Sequence, residues 1–134
     1  MSNNFTISEF IINKKQPVPL DVVDKILKHH IPIAQSVRDK MNCPLWPSQN
    51  SGYRSVLWEK NHGRSGTSQH CFKGKGAVDY TCANERLHEL FDLLCKSKYM
   101  RICLYHTFIH CDYNSDTKQI FRCDDGHNWL SYYG

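Results

Sequence analysis

Two histidines and an aspartate, His70, Asp79 and His110, stand in segments whose residue types suit metal chemistry. The segments are Ser68-Gln69-His70, then Gly76-Ala77-Val78-Asp79, then Phe108-Ile109-His110-Cys111-Asp112. Two imidazoles and a carboxylate form a donor set that a catalytic zinc takes, with the fourth position kept for water. Such an ion polarises a carbonyl and brings the pKa of a water toward about 7. A nearby carboxylate or imidazole then takes the water proton and passes it to a leaving group. Mixed His/Asp ligation favours zinc among the common divalent ions. The alternative for each histidine is a surface or hydrogen-bonded side chain with no metal.

Ligands crowded on one element cannot surround an ion, so three elements must converge. His110 and Asp112 are two apart on a predicted strand and therefore face one side. His70 belongs to a loop ahead of the strand that bears Asp79. If the Asp79 and His110 strands pair, the three donors meet.

The rest of the chain supplies the frame. Thr6 and Glu9 have capping-box spacing, which predicts a short helix. Residues 14–19 form a Pro-containing linker. Over residues 20–41, Val22, Val23, Ile26, Leu27, Ile31, Ile33, Ala34, Val37 and Met41 recur at helical steps. Pro32 predicts a kink or break near His30. Cys43-Pro44 ends that helix. Residues 45–54 read as a strand interrupted by Pro47, residues 55–61 as a helical turn, and 62–67 as a loop. A strand at 76–80 and a helix at 84–96 follow, the latter with Leu87, Leu90, Phe91 and Leu94 on one face. Strands at 100–105, 108–113 and 119–123 come next. Asp124-Asp125-Gly126 is a turn, and residues 129–133 form an aromatic tail that packs down. The sum is α+β: N-terminal helices packed on a small antiparallel sheet that carries the chemistry.

The 134 residues fit one domain, residues 1–134, and no second. With 40% hydrophobic and 22% charged residues the composition is globular. The net charge of +4 is modest, and Lys14-Lys15, Lys73 to Lys75 and Lys96 to Arg101 are short clusters, so a nucleic-acid partner is not expected. An anionic polymer surface suits such a balance. No stretch is long and apolar enough to span a membrane. The N-terminus lacks a secretory signal pattern, so synthesis in the cytoplasm as a soluble monomer is expected. Seven cysteines without a CxxC pair read as free thiols. Cys111 should point away from His110 into the core. Cys71 is read the same way, with a metal contact as its alternative.

Ser68-Gln69-His70 with Gly76-Ala77-Val78-Asp79 resembles the S-x-H-x-x-G-x-A-x-D signature of zinc D-Ala-D-Ala carboxypeptidases and related phage endolysins. That group shares its fold with D-Ala-D-Ala dipeptidases of the vancomycin-resistance type and with the Hedgehog signalling domain. The resemblance runs through most of the chain. Phe5 to Ile11 is similar to the opening helix and Leu27 to Pro44 to the long helix and its turn. Ser51-Gly52-Tyr53-Arg54-Ser55 is similar to the G-Y-R-S strand end, and Tyr105 to Asp112 to the Y-x-T-F-V-H-V-D strand.

The resemblance implies a zinc peptidase with His70, Asp79 and His110 as ligands. Arg54 would bind a substrate carboxylate or carbonyl oxygen, a task that suits a planar guanidinium. Ser68 and Gln69 would bond substrate or orient His70. The implied substrate is the stem peptide of peptidoglycan, cut as a terminal D-Ala or at a cross-link. A phage-type lysis or entry enzyme, reaching the wall after release or as a virion component, fits the lack of a signal.

Two departures matter. The family usually has six residues between the ligand His and Asp, whereas eight stand here, a two-residue insertion within Cys71 to Lys75 absorbed by Gly74 and Gly76. Many relatives carry a general-base Glu three positions before the second ligand His, where this chain has Thr107. Asp112 is the first candidate for the base, with support of His110 as its alternative role. His106 is the second candidate. His29, His30, His62, His88 and His127 read as surface or packing residues, and Trp46, Tyr53, Trp58 and Trp129 as core or cleft walls. The missing Glu keeps a second expectation alive: a catalytically impaired, zinc-bearing binding module of the same fold.

Overall fold

The computed structural model describes residues 4–12, 18–48, 51–64, 66 and 68–133. Most of the 14–19 linker, with Lys14-Lys15, lies outside the described residues, as do positions 49 and 50 of the expected 45–54 strand and positions 65 and 67 of the 62–67 loop.

The chain opens with a 3-10 turn, Ile7–Phe10, whose first N–H groups need acceptors. The Glu9 carboxylate takes one of them, accepting from the Thr6 N–H at 2.9 Å. Helix α1, Leu20–Lys25, then runs through a π-helical turn, Ile26–His30, into α2, Ile31–Met41. Pro32 explains the turn: it has no N–H to donate, and its ring would press on the carbonyl four residues back. The chain widens instead of breaking, and the Ile31 N–H reaches the Ile26 carbonyl, one residue further than an α-helix requires. Helix α2 stops at Asn42, whose left-handed φ of 51° turns its N–H onto the Arg38 carbonyl.

Strand β1, Leu45–Pro47, is shorter than expected, because Pro47 cannot extend a ladder. Helix α3, Val56–Asn61, is capped by the Ser55 hydroxyl, which accepts from the Trp58 N–H at 2.9 Å. A 3-10 turn, Gln69–Cys71, precedes strand β2, Ala77–Cys82. Helix α4, Leu87–Cys95, buries Leu87, Leu90, Phe91 and Leu94, the expected face. Removing each of these from water contributes roughly 1.5–3 kcal/mol. Strands β3, Arg101–Leu104, β4, Ile109–Asp112, β5, Gln119–Arg122, and β6, Leu130–Ser131, complete the fold.

The six strands form one sheet in the order β1-β2-β4-β3-β5-β6. The expectation of an antiparallel sheet is corrected: β3 and β5 run parallel, so the sheet is mixed. After β4 the chain passes below the start of β3 and rises on its far side, Gln119 settling opposite Arg101. The aromatic tail adds β6 to the edge rather than merely packing down.

Alternation divides the sheet into two faces. Val78, Tyr80, Ile102, Ile109 and Cys111 pack into one core with α1, α2 and α4. Asp79, His110, Asp112, Arg101 and Cys103 occupy the other face, in register across three strands. A buried polar chain ties the helices to the site loop. Tyr80 and Tyr99 share a hydrogen bond of 2.7 Å, and Tyr99 bonds His30 Nδ1 at 2.8 Å. His30 Nε2–H donates to the Lys75 carbonyl at 2.8 Å. Since that carbonyl can only accept, Nδ1 is the acceptor of the Tyr99 hydroxyl. Burial above all pushes the His30 pKa down to about 4, consistent with that neutral ring.

Candidate metal centre

Antiparallel pairing of β2 with β4 sets Asp79 directly opposite His110. Asp79 is held along its backbone: its N–H donates to the Ser51 hydroxyl at 2.6 Å, and its carbonyl accepts from the Ser48 N–H at 2.7 Å. His70 arrives from the 3-10 turn on the same side. Its own N–H donates to the Ser68 hydroxyl at 3.0 Å, and its carbonyl accepts from the Arg54 N–H at 2.8 Å. One donor atom from each of His70, Asp79 and His110 lies within 4.8 Å of the other two. His110 Nδ1 is 2.8 Å from Asp79 Oδ1, and His70 Nε2 is 3.5 Å from the same oxygen.

The outer hydrogen bonds decide which nitrogen of each ring is available. His70 Nδ1–H donates to the Gly52 carbonyl at 3.0 Å, which leaves Nε2 as the nitrogen that faces Asp79. His110 Nε2–H donates to Asp112 Oδ2 at 2.7 Å, which leaves Nδ1 on the Asp79 side. Both rings therefore turn a free nitrogen inward once His110 gives up its second proton. Gly52 makes its contact from φ +82°, with its α-carbon against the Phe10 backbone; a Cβ there would sit 2.2 Å from the Phe10 oxygen.

Electrostatics follow the geometry. Asp79 is held well below the usual carboxylate range, because His70 and His110 outweigh its burial. Burial alone would strip the proton from His110, yet Asp112 and Asp79 raise its pKa to about 9. Without an ion the cluster keeps an imidazolium clamped between two carboxylates. A divalent cation replaces that proton charge for charge and more.

Asp112 is bonded on every side. It is fully buried, whereas His70, Asp79 and His110 keep 4, 7 and 9% exposure. Arg101 donates to both of its oxygens at 2.8 and 2.6 Å, and the Asn114 N–H donates to Oδ1 at 2.9 Å. Its pKa is held below the carboxylate range, burial being outweighed by the bonds from His110 and Arg101. A carboxylate so engaged is a poor proton acceptor and sits on the far edge of His110. This engagement weighs against Asp112 as general base and favours its alternative role as support of His110. His106 is the second candidate for the base. Its exposed ring stands in the β3–β4 turn, where Nε2 bonds the Asp124 carbonyl at 2.9 Å.

Arg54 is buried at the end of the Tyr53-Arg54 segment, its guanidinium 5.5 Å from the Trp58 ring centre. Burial weakens its hold on the proton, and Asp79 is the strongest charge that restores it, which puts the guanidinium within electrostatic reach of the donor cluster. Glu59 stands behind it, fully buried, with Oε2 3.5 Å from Arg54 Nη1 and 3.9 Å from Arg64 Nε. The other oxygen, Oε1, accepts from the Cys71 thiol at 3.4 Å. Cys71 is thus a proton donor to Glu59, and burial and Glu59 push its pKa up to about 11.

Ser68 caps the turn that bears His70, its hydroxyl accepting from the His70 N–H. Gln69 is half-buried and lines a small surface cavity with Lys75 and Tyr113. The inserted loop folds through Phe72, left-handed at φ 58°, and Gly76 at φ +94°, where a Cβ would meet the Phe72 ring at 2.5 Å. Gly74 adopts no such conformation. Trp129 leans on the exposed edge of the site, 5.2 Å from the His110 ring and 5.1 Å from the Arg101 guanidinium. Trp46 lies on the same sheet face, 44% exposed, and is not core. Tyr53 is core.

Sequence reasoning placed Ser51 and Gly52 in a motif without giving them a role, and missed Glu59 and Arg101. The register Arg101↔Asp112 would have found Arg101, but only once the pairing of β3 with β4 is known.

Comparison of the chain with family models, curated proteins and solved structures found no match.

Proposed function

We propose that this protein is a zinc-dependent peptidase of peptidoglycan stem peptides, of the D-Ala-D-Ala carboxypeptidase or cross-link endopeptidase type. The observation that carries the reading is the convergence of His70 Nε2, Asp79 Oδ1 and His110 Nδ1, with the opposite edge of each ring already bonded. That donor set fits zinc: two borderline nitrogens and one oxygen from three separate elements, each histidine oriented from behind.

Zinc held by these residues supplies Lewis acidity toward a scissile carbonyl and an acidified water. The chain's own residues do the remaining work. Asp112, braced by Arg101, fixes the His110 ring and its tautomer. The Gly52 carbonyl does the same for His70. Arg54 offers a guanidinium to the substrate carboxylate or to negative charge developing on the carbonyl oxygen. Glu59 holds Arg54 in place. Trp46, on the same sheet face, and Trp129, against the His110 ring, give apolar surface to a peptide strand. A phage-type lysis or entry role follows from the same resemblance.

A second reading has its own observation. Thr107 stands where relatives have a general-base Glu, and both substitutes, Asp112 and His106, are bonded elsewhere. This favours a zinc-bearing binding module without turnover. Incubation of zinc-quantified protein with muropeptides, read by mass spectrometry, separates the two. Loss of one D-Ala identifies the carboxypeptidase, and opening of cross-linked dimers the endopeptidase. One zinc per chain with no cleavage identifies the binding module.

A further inference from the structure

Lysines that are scattered in the sequence meet in the fold. Lys28 and Lys40 from the long helix, Lys75 from the site loop, and Lys96 and Lys98 after α4 line one cavity of about 750 Å³. All five are exposed. Lys28 pairs with Asp24 at 3.1 Å, while among the described residues the other four have no carboxylate partner within ion-pair distance. Lys28 and Lys75 add to burial in lowering the His29 pKa, so the cavity wall is positive. Lys75 and Tyr113 also line the smaller cavity that reaches Gln69, the neighbour of His70. The two cavities thus meet on shared residues, and the basic cleft leads toward the ligand turn.

We infer that this cleft binds a polyol-phosphate polymer of the bacterial wall and so holds the protein on its substrate. The inference rests on the wall-peptidase reading for the source of the polymer; the binding itself does not. Flexible ammonium groups act as point charges and suit phosphodiesters spaced along a chain, whereas planar carboxylate recognition favours arginine, which this cleft lacks. Nucleic acid is disfavoured by the same lining. Bases stack on free aromatic faces. Tyr113 and His29, the cleft's aromatic rings, are packed against each other, and Tyr113 also lies against His30 and Tyr99, with Lys75 5.1 Å from its centre.

The test is binding of the whole protein to a synthetic glycerol-phosphate oligomer, to poly(dT) of equal charge, and to wall sacculi before and after chemical removal of phosphodiester polymers. Lys75→Gln/Lys96→Gln/Lys98→Gln is compared with Lys60→Gln/Lys73→Gln/Arg122→Gln, which removes the same charge outside the cleft. The inference expects the cleft variant to lose about tenfold or more in oligomer affinity with a shallower salt dependence, and the control to lose much less. It also expects weaker binding to stripped sacculi. Equal loss in both variants, equal binding to stripped sacculi, or tighter binding to poly(dT) would overturn it. If the triple variant fails a circular-dichroism folding check, Lys96→Gln alone is read by its salt slope, and an unchanged slope overturns the inference. Cleavage of a soluble muropeptide, measured in parallel, reports on the metal centre independently.

Discussion

Asp112 grips the far edge of His110, with Oδ2 2.7 Å from Nε2, and is itself held by both nitrogens of the Arg101 fork. The relationship fits Asp112 as a support of His110, the role proposed for it. Asp112→Asn should therefore weaken zinc affinity about 10- to 100-fold, with turnover largely restored when zinc is saturating. A competition titration against a chromophoric chelator measures this. Unchanged zinc affinity with a collapsed kcat would return Asp112 to the general-base role.

Gly52 has two tasks, a close backbone approach to Phe10 and a carbonyl offered to His70. Gly52→Ala places a Cβ in a left-handed conformation and against main-chain atoms that cannot yield. The expected loss is on the order of 2–4 kcal/mol of stability, read from urea midpoints, together with weaker zinc binding. A variant as stable as the parent would show that the 51–54 segment is not held as described.

Arg54 and Glu59 should separate binding from chemistry. Arg54→Lys keeps the charge but loses the fork, and kcat/KM on muropeptides should fall about 100-fold while zinc stays at one per chain. Glu59→Gln removes one buried negative charge from beside Arg54; stability should drop by about 3 kcal/mol and KM should rise. Loss of zinc in Arg54→Lys would mean that this arginine supports the ligands and not the substrate.

Two histidines set opposite pH dependences in the metal-free protein. His30 is pushed from 6.5 to about 4, so the unfolded chain binds more protons between those values. Its effect is a loss of stability as pH falls through that window, up to about 3 kcal/mol. His110 is raised to about 9, so its contribution is complete below 6.5 and is lost as pH climbs toward 9. Asp79 and Asp112, both held low, add a further loss at more acid pH. Denaturant midpoints across pH 4–9 should peak near 6.5 without metal. Zinc takes the neutral ring and should raise the alkaline side most. A flat profile would contradict the buried, neutral assignment of His30.

The clustering of His70, Asp79 and His110 into a group that could hold an ion was legible because each donor sits in a short segment whose local form is set locally. His110 and Asp112 alternate on a strand, and His70 follows a capping serine. The buried face of α4 was legible from its spacing for the same reason. What the sequence hid depends on distant partners. The parallel placement of β5 beside β3 is decided by where a six-residue connection lands, not by the composition of either strand. Pro32 announces a disturbance, but whether a helix breaks or widens into a π turn depends on packing: here the widened turn buries His30 against Tyr99. Glu59 looks like any helical surface glutamate until Arg54, Arg64 and Cys71 close around it. Asp112 shows the limit of face-sharing: the same alternation that puts it beside His110 leaves its role to Arg101, on another strand.

The most direct test of the central claim is a zinc titration of chelator-stripped protein, with cleavage of a cross-linked muropeptide followed in the same samples. The account predicts no cleavage by the stripped protein, then a linear rise that breaks at one zinc per chain and is absent in His70→Ala and His110→Ala. Undiminished cleavage by stripped protein, or a zinc equivalent bound by wild type with no cleavage at any ratio, would contradict it.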